Sequence, residues 1–113
     1  MRWTCFAAIL AADVAGYTRL MADDERATIN ALNTCRGIFR QAVEGNSGRV
    51  VDMAGDSVLA IFDTAIVAFN AALVAQERIA AFNADLPENR RMQYRVGLNT
   101  GDIHEQSDGT VYG

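Results

Sequence analysis

The sequence contains no lysine. Its ten basic residues are all arginines and stand against fourteen acidic residues, so the formal net charge is −4. Non-specific binding to nucleic acid depends on neutralising phosphates with cationic side chains. An acidic chain is poorly suited to that task, and we therefore expect no nucleic-acid partner.

Histidine and cysteine are also scarce. His104 is the only histidine, and Cys5 and Cys35 stand far apart without a CxxC spacing. These absences argue against a zinc site and against a nucleophile activated by histidine. Both cysteines lie in apolar stretches, so we predict that they are reduced core residues in a cytoplasmic protein.

Long apolar runs and low-complexity tracts are absent as well. No stretch has the character expected of a transmembrane helix, which needs about 20 apolar residues, and we expect no membrane segment. Half of the 113 residues are hydrophobic and 21% are charged, which is typical of a globular chain. The length suits one domain, spanning residues 1–113.

The first half of the chain predicts a strand, a helix and a hairpin. A continuous apolar run over 4–14 favours a buried strand. Asp23 and Asp24 are suited to the N-cap of a helix over 23–44. Two short apolar segments, 49–53 and 57–62, flank a compact turn and predict a β-hairpin.

The second half predicts a helix and a further strand. A helix is expected over 64–84, and alternation from Met92 to Leu98 predicts a strand that turns at 99–102. The order of elements is that of an α+β, ferredoxin-like antiparallel sheet with helices packed on one face. The inner side of the second helix is predicted to carry Ile66, Phe69, Leu73, Ile79 and Phe82.

Asp13 is the first candidate functional residue. It ends the apolar strand, where an ionised carboxylate is costly to bury unless it is paired. Gly16 follows and allows a sharp turn. The next residues can begin a short helix, whose free N–H groups suit a phosphate.

Asp56 is the second candidate, at the hairpin turn. If the first strand lies beside the hairpin, the two carboxylates meet and repel each other unless a cation lies between them. Carboxylates facing phosphates indicate Mg²⁺ or Mn²⁺. The residues alone leave a simpler alternative open, in which Asp13 caps the next turn and Asp56 is an ordinary turn residue.

Three sequence blocks resemble a known family. AAILAADVAGYTRLM at 7–21, GRVVDMAGDSVLAIF at 48–62 and YRVGLNTGD at 94–102 resemble class III adenylate and guanylate cyclase catalytic domains, particularly a bacterial branch. The blocks occur in the family's order and spacing and cover nearly the whole chain. The resemblance implies the class III nucleotide cyclase fold.

The resemblance also implies a reaction and its residues. A nucleoside triphosphate, ATP or GTP, would be cyclised to a 3′,5′-cyclic nucleotide with loss of pyrophosphate, for intracellular signalling, on two Mg²⁺ or Mn²⁺ ions. Asp13 and Asp56 would be the catalytic metal ligands, joined by the backbone carbonyl of Val14. The phosphates would be bound by the N–H groups of four consecutive residues, Ala15, Gly16, Tyr17 and Thr18.

Two positions bear on the choice of base. Many adenylate cyclases place a lysine four residues before the second metal aspartate, where this chain has Asp52. Guanylate cyclases place a glutamate there, so a carboxylate could accept hydrogen bonds from guanine. Asp52 could equally be a solvated strand residue. Thr110 matches the second base-selecting position and does not decide between ATP and GTP.

The resemblance covers the front two-thirds of the family's domain. The family continues beyond the position of Gly113 into a helix with an asparagine and an arginine, which act across a homodimer interface. We therefore expect a C-terminally incomplete cyclase domain that lacks turnover by itself. The alternative is a catalytically inactive cyclase-like module for dimerisation or nucleotide sensing.

Overall fold

The computed structural model describes the backbone of residues 2–106 and 111–112 and the side chains of residues 7–102. Within these ranges three helices and five strands follow one another, with a short 3₁₀ turn at Glu88–Arg90 before the fourth strand. They are β1 (Arg2–Val14), α1 (Tyr17–Asp23), α2 (Glu25–Gly45), β2 (Arg49–Asp52), β3 (Val58–Phe62), α3 (Ala65–Ala84), β4 (Tyr94–Gln106) and β5 (Val111–Tyr112).

The strands form one antiparallel sheet in the order β2-β3-β1-β4-β5. β1 lies in the middle and pairs with β4 from Arg2↔Gln106 to Val14↔Tyr94. The turn predicted at 99–102 is therefore wrong, because these residues continue β4 in register with β1. Unbroken pairing along a central strand outweighs the local turn preference of Asn99 and Gly101.

Both long helices cover the same face of the sheet, as predicted. α3 packs on β1 and β4, and α2 packs on β2, β3 and α3. Alternate residues of β1 point into this core, since a strand turns successive side chains to opposite faces. The residues of β1 that belong to the core cluster are Ala8, Leu10, Ala12 and Val14.

α2 begins where the sequence places its cap. The Asp24 side chain accepts a hydrogen bond from the Ala27 N–H at 3.1 Å, which satisfies one of the free donors at the helix start. The inner stripe of α2 is buried and consists of Leu32, Cys35, Phe39 and Val43.

α3 differs from the prediction in the face that it buries. Its buried positions are Ala68, Ala71, Ala72, Ala75 and Ile79, whereas Ile66 is 74% exposed, Phe69 53% and Leu73 46%. Alanines lack bulk, so α3 can approach α2 and the sheet closely. Of the five large side chains predicted to face inward, Ile79 is buried and Phe82 packs partly buried against the core, while Ile66, Phe69 and Leu73 point outward.

By length and composition alone, α3 is apolar enough to cross a membrane, with a hydropathy of 1.4 over its apolar window. This differs from the expectation, drawn from the sequence, that no stretch has the character of a transmembrane helix. In the fold, one face of α3 packs against α2, β1 and β4, and 28% of this window is buried.

No helix within the described residues covers the opposite face of the sheet. Ala11 of β1 and Arg95 and Gly97 of β4 are exposed there. Asp13 is on this face too, because it lies one residue from the buried Ala12 and Val14. This open face holds the candidate site.

Candidate functional site

Asp56 completes the pairing of β1 with β3. The two strands pair from Ala8↔Phe62 to Ala12↔Val58, and the same register places Asp56 opposite Val14. There the Asp56 side chain accepts the Val14 N–H through Oδ2, at 3.0 Å. The carboxylate thus replaces a strand carbonyl and is fixed beside the end of β1.

Asp13 forms an ion pair across the neighbouring strand. It faces Arg95 directly in the β1–β4 register, and Nε of Arg95 lies 2.7 Å from its Oδ1. The hydrogen bond and charge of Asp13 raise the pKa of Arg95 above its ordinary value. Both candidate aspartates therefore lie at the same end of β1. Asp13 is part of this strand, and Asp56 joins it from the β3 side.

The segment after β1 turns sharply into α1. Gly16 adopts a φ of 70°, a left-handed conformation that favours glycine. Leu20 donates back to the Gly16 carbonyl at 3.0 Å, so α1 begins directly after this turn. The N–H groups at a helix start have no acceptor within the helix. Of the four predicted phosphate-binding residues, Ala15 already donates its N–H to the Gln93 carbonyl at 2.7 Å.

An open cleft of about 610 Å³ runs across the uncovered sheet face. Asp13 and Arg95 line one part of it and Asp52 lines another. Its remaining walls are formed by Ala11, Ala12, Ser57, Val58, Leu59, Val96 and Gly97.

A β-bulge brings Asp52 into this cleft. β2 pairs with β3 at Val50↔Ala60, but the register shifts before Asp52↔Leu59. Without the shift, Val51 would face Leu59, and Asp52 would point to the other side of the strand. Strands lie about 4.8 Å apart, so two strand spacings, roughly 10 Å, separate β2 from β1.

The described residues do not include every predicted site residue. Thr110 lies outside them, so its relation to the cleft is not described. Within the described residues no group of three or more His, Cys, Asp and Glu side chains could hold a metal ion. Asp13 and Asp56 supply two carboxylates, and Mg²⁺ commonly takes one or two together with substrate phosphates. The available donors therefore fit such an ion.

Arg95 is a site residue that the sequence reasoning missed. The signal was available, because Met92, Tyr94 and Val96 alternate as inward-facing residues of the last strand. Arg95, between two of them, must face the opposite side, which it shares with Asp13.

The sequence and the fold match known proteins over nearly the whole chain. The family model described as the adenylate and guanylate cyclase catalytic domain matches residues 4–112. A putative adenylate cyclase 3 of Rhizobium meliloti is 45% identical over 104 residues, which are 90% of this chain and 18% of that protein.

Solved structures of cyclases are similar to this chain in fold. An adenylate/guanylate cyclase/hydrolase from Silicibacter pomeroyi matches with a TM-score of 0.81 and 37% identity, covering 100% of this chain and 66% of that one. A bacterial light-regulated adenylyl cyclase has a TM-score of 0.88 at 17% identity, covering 100% of this chain and 37% of that one. The chain thus spans about a fifth of the Rhizobium relative and about two-thirds or less of these structures.

Proposed function

Because this chain belongs to the adenylate and guanylate cyclase catalytic domain family, we propose that it supplies the metal-binding half-site of a nucleotide cyclase. The reaction is the cyclisation of ATP or GTP to a 3′,5′-cyclic nucleotide with release of pyrophosphate. The observation that carries this proposal is the hydrogen bond from Val14 to Asp56, which brings the second carboxylate to the strand end that bears Asp13.

Asp13, Asp56 and the Val14 carbonyl are the groups that would hold two Mg²⁺ or Mn²⁺ ions. Such ions, when bound, neutralise a triphosphate and lower the pKa of a coordinated hydroxyl. The chain contributes two oxygen-bearing side chains held by neighbouring elements, Asp56 by the Val14 N–H and Asp13 by Arg95. Asp56 therefore needs little reordering on binding, whereas Asp13 has to exchange Arg95 for the ion.

The triphosphate would lie beside the end of β1. Three N–H groups, those of Gly16, Tyr17 and Thr18, remain at the turn into α1 once Ala15 has bonded to Gln93. Arg95 adds a guanidinium that lines the same cleft. Arginine binds phosphate oxygens through two parallel hydrogen bonds, so Arg95 would orient the chain of phosphates as well as neutralise it.

The base would lie toward Asp52. Asp52 lies two strand spacings, roughly 10 Å, from β1, so the base and the phosphates of one nucleotide would contact different strands. A carboxylate at this end of the cleft can accept hydrogen bonds and cannot donate them. Asp52 therefore favours the N–H groups of guanine over the adenine edge, which offers an acceptor as well as a donor.

The active assembly is proposed to be a homodimer in the cytoplasm, where ATP and GTP are available. The uncovered sheet face offers the cleft to a second copy, whose residues would complete it. The alanine face of α3 lies on α2 and the sheet, and its outer face carries Ile66, Phe69 and Leu73.

A nucleotide-sensing module without turnover is the second candidate. The observation in its favour is the Asp13–Arg95 ion pair, which engages one of the two carboxylates with a side chain of the same chain. A cyclase and a sensing module both predict metal-dependent nucleotide binding. Only the cyclase predicts a product.

The test uses the full-length protein with ATP and with GTP, each with and without Mn²⁺, and measures cyclic nucleotide and pyrophosphate. We expect formation of both products only with Mn²⁺, and none from Asp13→Asn or Asp56→Asn. Asp63→Asn is the matched control, since Asp63 is an exposed aspartate just beyond β3.

Each outcome decides between the candidates. Binding of a non-cyclisable analogue without product formation would favour the sensing module. Equal activity of wild type and Asp56→Asn would contradict the proposed site. The asparagine oxygen can still accept the Val14 N–H, so the substitution removes the charge while sparing the local fold.

A further inference from the structure

An arginine of α2 holds the β2–β3 turn that carries Asp56. Nη2 of Arg36 donates to the main-chain carbonyl of Gly55, the residue directly before Asp56. Gly55 is exposed and has a φ of 56°. Within the turn itself, Ser57 donates to the Ala54 carbonyl at 2.9 Å. The position of Asp56 therefore depends on a contact from another element.

Two buried polar groups lie under this turn. Nε of Arg36 and the hydroxyl of Tyr94 are both buried, and neither has a hydrogen-bond partner among the described residues. Buried polar atoms are nearly always paired, and leaving one unpaired costs free energy. Because these two unpaired atoms do not stabilise the fold, the position of Arg36 needs a reason other than stability.

Tyr94 lies at the strand end that Asp56 joins. It pairs with Val14 across β1 and β4, and the Val14 N–H donates to Asp56. The ring of Tyr94 is itself fixed by Phe39 of α2, at a centroid distance of 4.9 Å. Arg36 thus reaches the turn from α2 with its Nε buried, while its Nη2 makes an exposed hydrogen bond to the Gly55 carbonyl.

We propose that Arg36 is a positioning residue for the metal ligand Asp56. By fixing the Gly55 carbonyl it sets the backbone from which the Asp56 carboxylate reaches the Val14 N–H and the metal position. This inference rests on the proposed function, because it concerns the affinity of that metal site. Without Arg36 the turn has to be ordered when the ion binds, and that ordering weakens the observed affinity.

The experiment compares three variants of the full-length protein: Arg36→Gln, Arg36→Lys and Arg26→Gln. Arg26 is the matched control, since it lies on the same helix and is exposed. Mn²⁺ affinity is measured by electron paramagnetic resonance with a non-cyclisable GTP analogue present. Amide hydrogen exchange is measured in the turn at residues 53–57.

We expect Arg36→Gln to weaken Mn²⁺ binding about 10–100-fold, the usual effect of removing a group that orients a metal ligand. Exchange in the turn should rise, and excess Mn²⁺ should restore most of the turnover. Arg36→Lys keeps the charge and one donor, so its affinity should be intermediate. Arg26→Gln should match wild type in both measurements.

The two measurements separate the possible failures. Unchanged exchange in Arg36→Gln would overturn the anchoring of the turn. Raised exchange with unchanged Mn²⁺ affinity would overturn the role toward Asp56. If instead wild type and Asp56→Asn bind Mn²⁺ equally, the proposed function fails. The inference then fails too, because it concerns that metal site. This holds even if the exchange measurement shows that Arg36 anchors the turn.

Discussion

Nε of Arg95 lies 2.7 Å from Oδ1 of Asp13, and the two residues face each other directly across β1 and β4. Both side chains are substantially exposed, at 70% and 45%. An exposed ion pair adds little to stability, so the pair matters mainly for what binds in the cleft. A metal ion with a triphosphate can replace this ion pair. The ion would then bind Asp13, and the phosphates would bind Arg95.

The first prediction concerns Arg95→Met, which should have two effects of opposite sign. Mn²⁺ alone should bind more tightly, because Asp13 no longer has a competing partner. The triphosphate analogue with Mn²⁺ should bind about tenfold more weakly or worse, the effect of losing one charge-assisted hydrogen bond. Calorimetric titration of the full-length protein measures both.

The control for this prediction is Arg78→Met, at an exposed arginine on α3. It changes the net charge equally and should leave both affinities as in wild type. If Arg95→Met binds the analogue as tightly as wild type does, Arg95 has no part in binding the triphosphate.

The second prediction concerns the base. Asp52→Asn should lower the affinity for a GTP analogue relative to an ATP analogue by about tenfold, since a paired contact to a base edge is worth about 1–3 kcal/mol of discrimination. The asparagine places a donor where guanine also donates. The measurement is the ratio of the two dissociation constants, with Asp63→Asn as the control. An unchanged ratio would mean that Asp52 is a solvated strand residue.

The side of the strand on which Asp52 lies could not have been predicted. A regular β2–β3 hairpin would direct it to the other side, and only the register shift after Val50 brings it into the cleft. A bulge has no reliable sequence pattern in a four-residue strand without glycine. By contrast, the proximity of Asp56 to the end of β1 followed from the order of elements, because an antiparallel hairpin beside β1 brings those ends together.

α3 shows where periodicity misleads. Its sequence contains two candidate faces, one of alanines and one of large side chains, and the usual rule places the larger ones inside. The fold buries Ala68, Ala71 and Ala75 together with Ile79, the one large side chain of the predicted face that is buried. Which face of α3 is buried depends on the space between α2 and the sheet. That space is a property of the tertiary structure and cannot be read from the sequence of α3 alone. The cap of α2 at Asp24 needed no such information, since its hydrogen bond to Ala27 is local.

The third prediction concerns Arg90, which ties three elements together. Its guanidinium donates to the carbonyls of Leu20 at 3.3 Å and Asp24 at 3.2 Å, to the Thr28 hydroxyl at 2.6 Å and to Asp23 at 3.1 Å. Arg90→Ala should lower the free energy of unfolding by about 2–4 kcal/mol, because the fully buried Thr28 and the carbonyls lose a charged donor.

Urea unfolding measures this effect, and Arg91→Ala is the control. Arg91 is the exposed neighbour and makes a hydrogen bond with the Leu86 carbonyl at 3.2 Å. Its loss should cost less than about 1 kcal/mol. Equal effects of the two substitutions would contradict a specific clamp at Arg90.

The fourth prediction is a pH dependence that arises from Cys35. This thiol is fully buried in the core, and burial raises its pKa to about 11 from an ordinary value of 9.0. Above about pH 9 the unfolded chain therefore loses a proton that the folded chain keeps. The free energy of unfolding should fall as the pH rises from 9.0 toward about 11, by at most about 1.4 kcal/mol per pH unit from this group.

Two variants isolate that contribution in urea unfolding between pH 8 and pH 10. Cys35→Ala should be less stable than wild type at pH 8, because it leaves a cavity, but its stability should fall less steeply as the pH rises. Val43→Ala creates a cavity at a fully buried position that does not titrate, so it should keep the wild-type slope. Parallel curves for Cys35→Ala and wild type would mean that the folded protein ionises this thiol as readily as the unfolded chain does. The thiol would then have to contact solvent or a donor, which its complete burial in the core opposes.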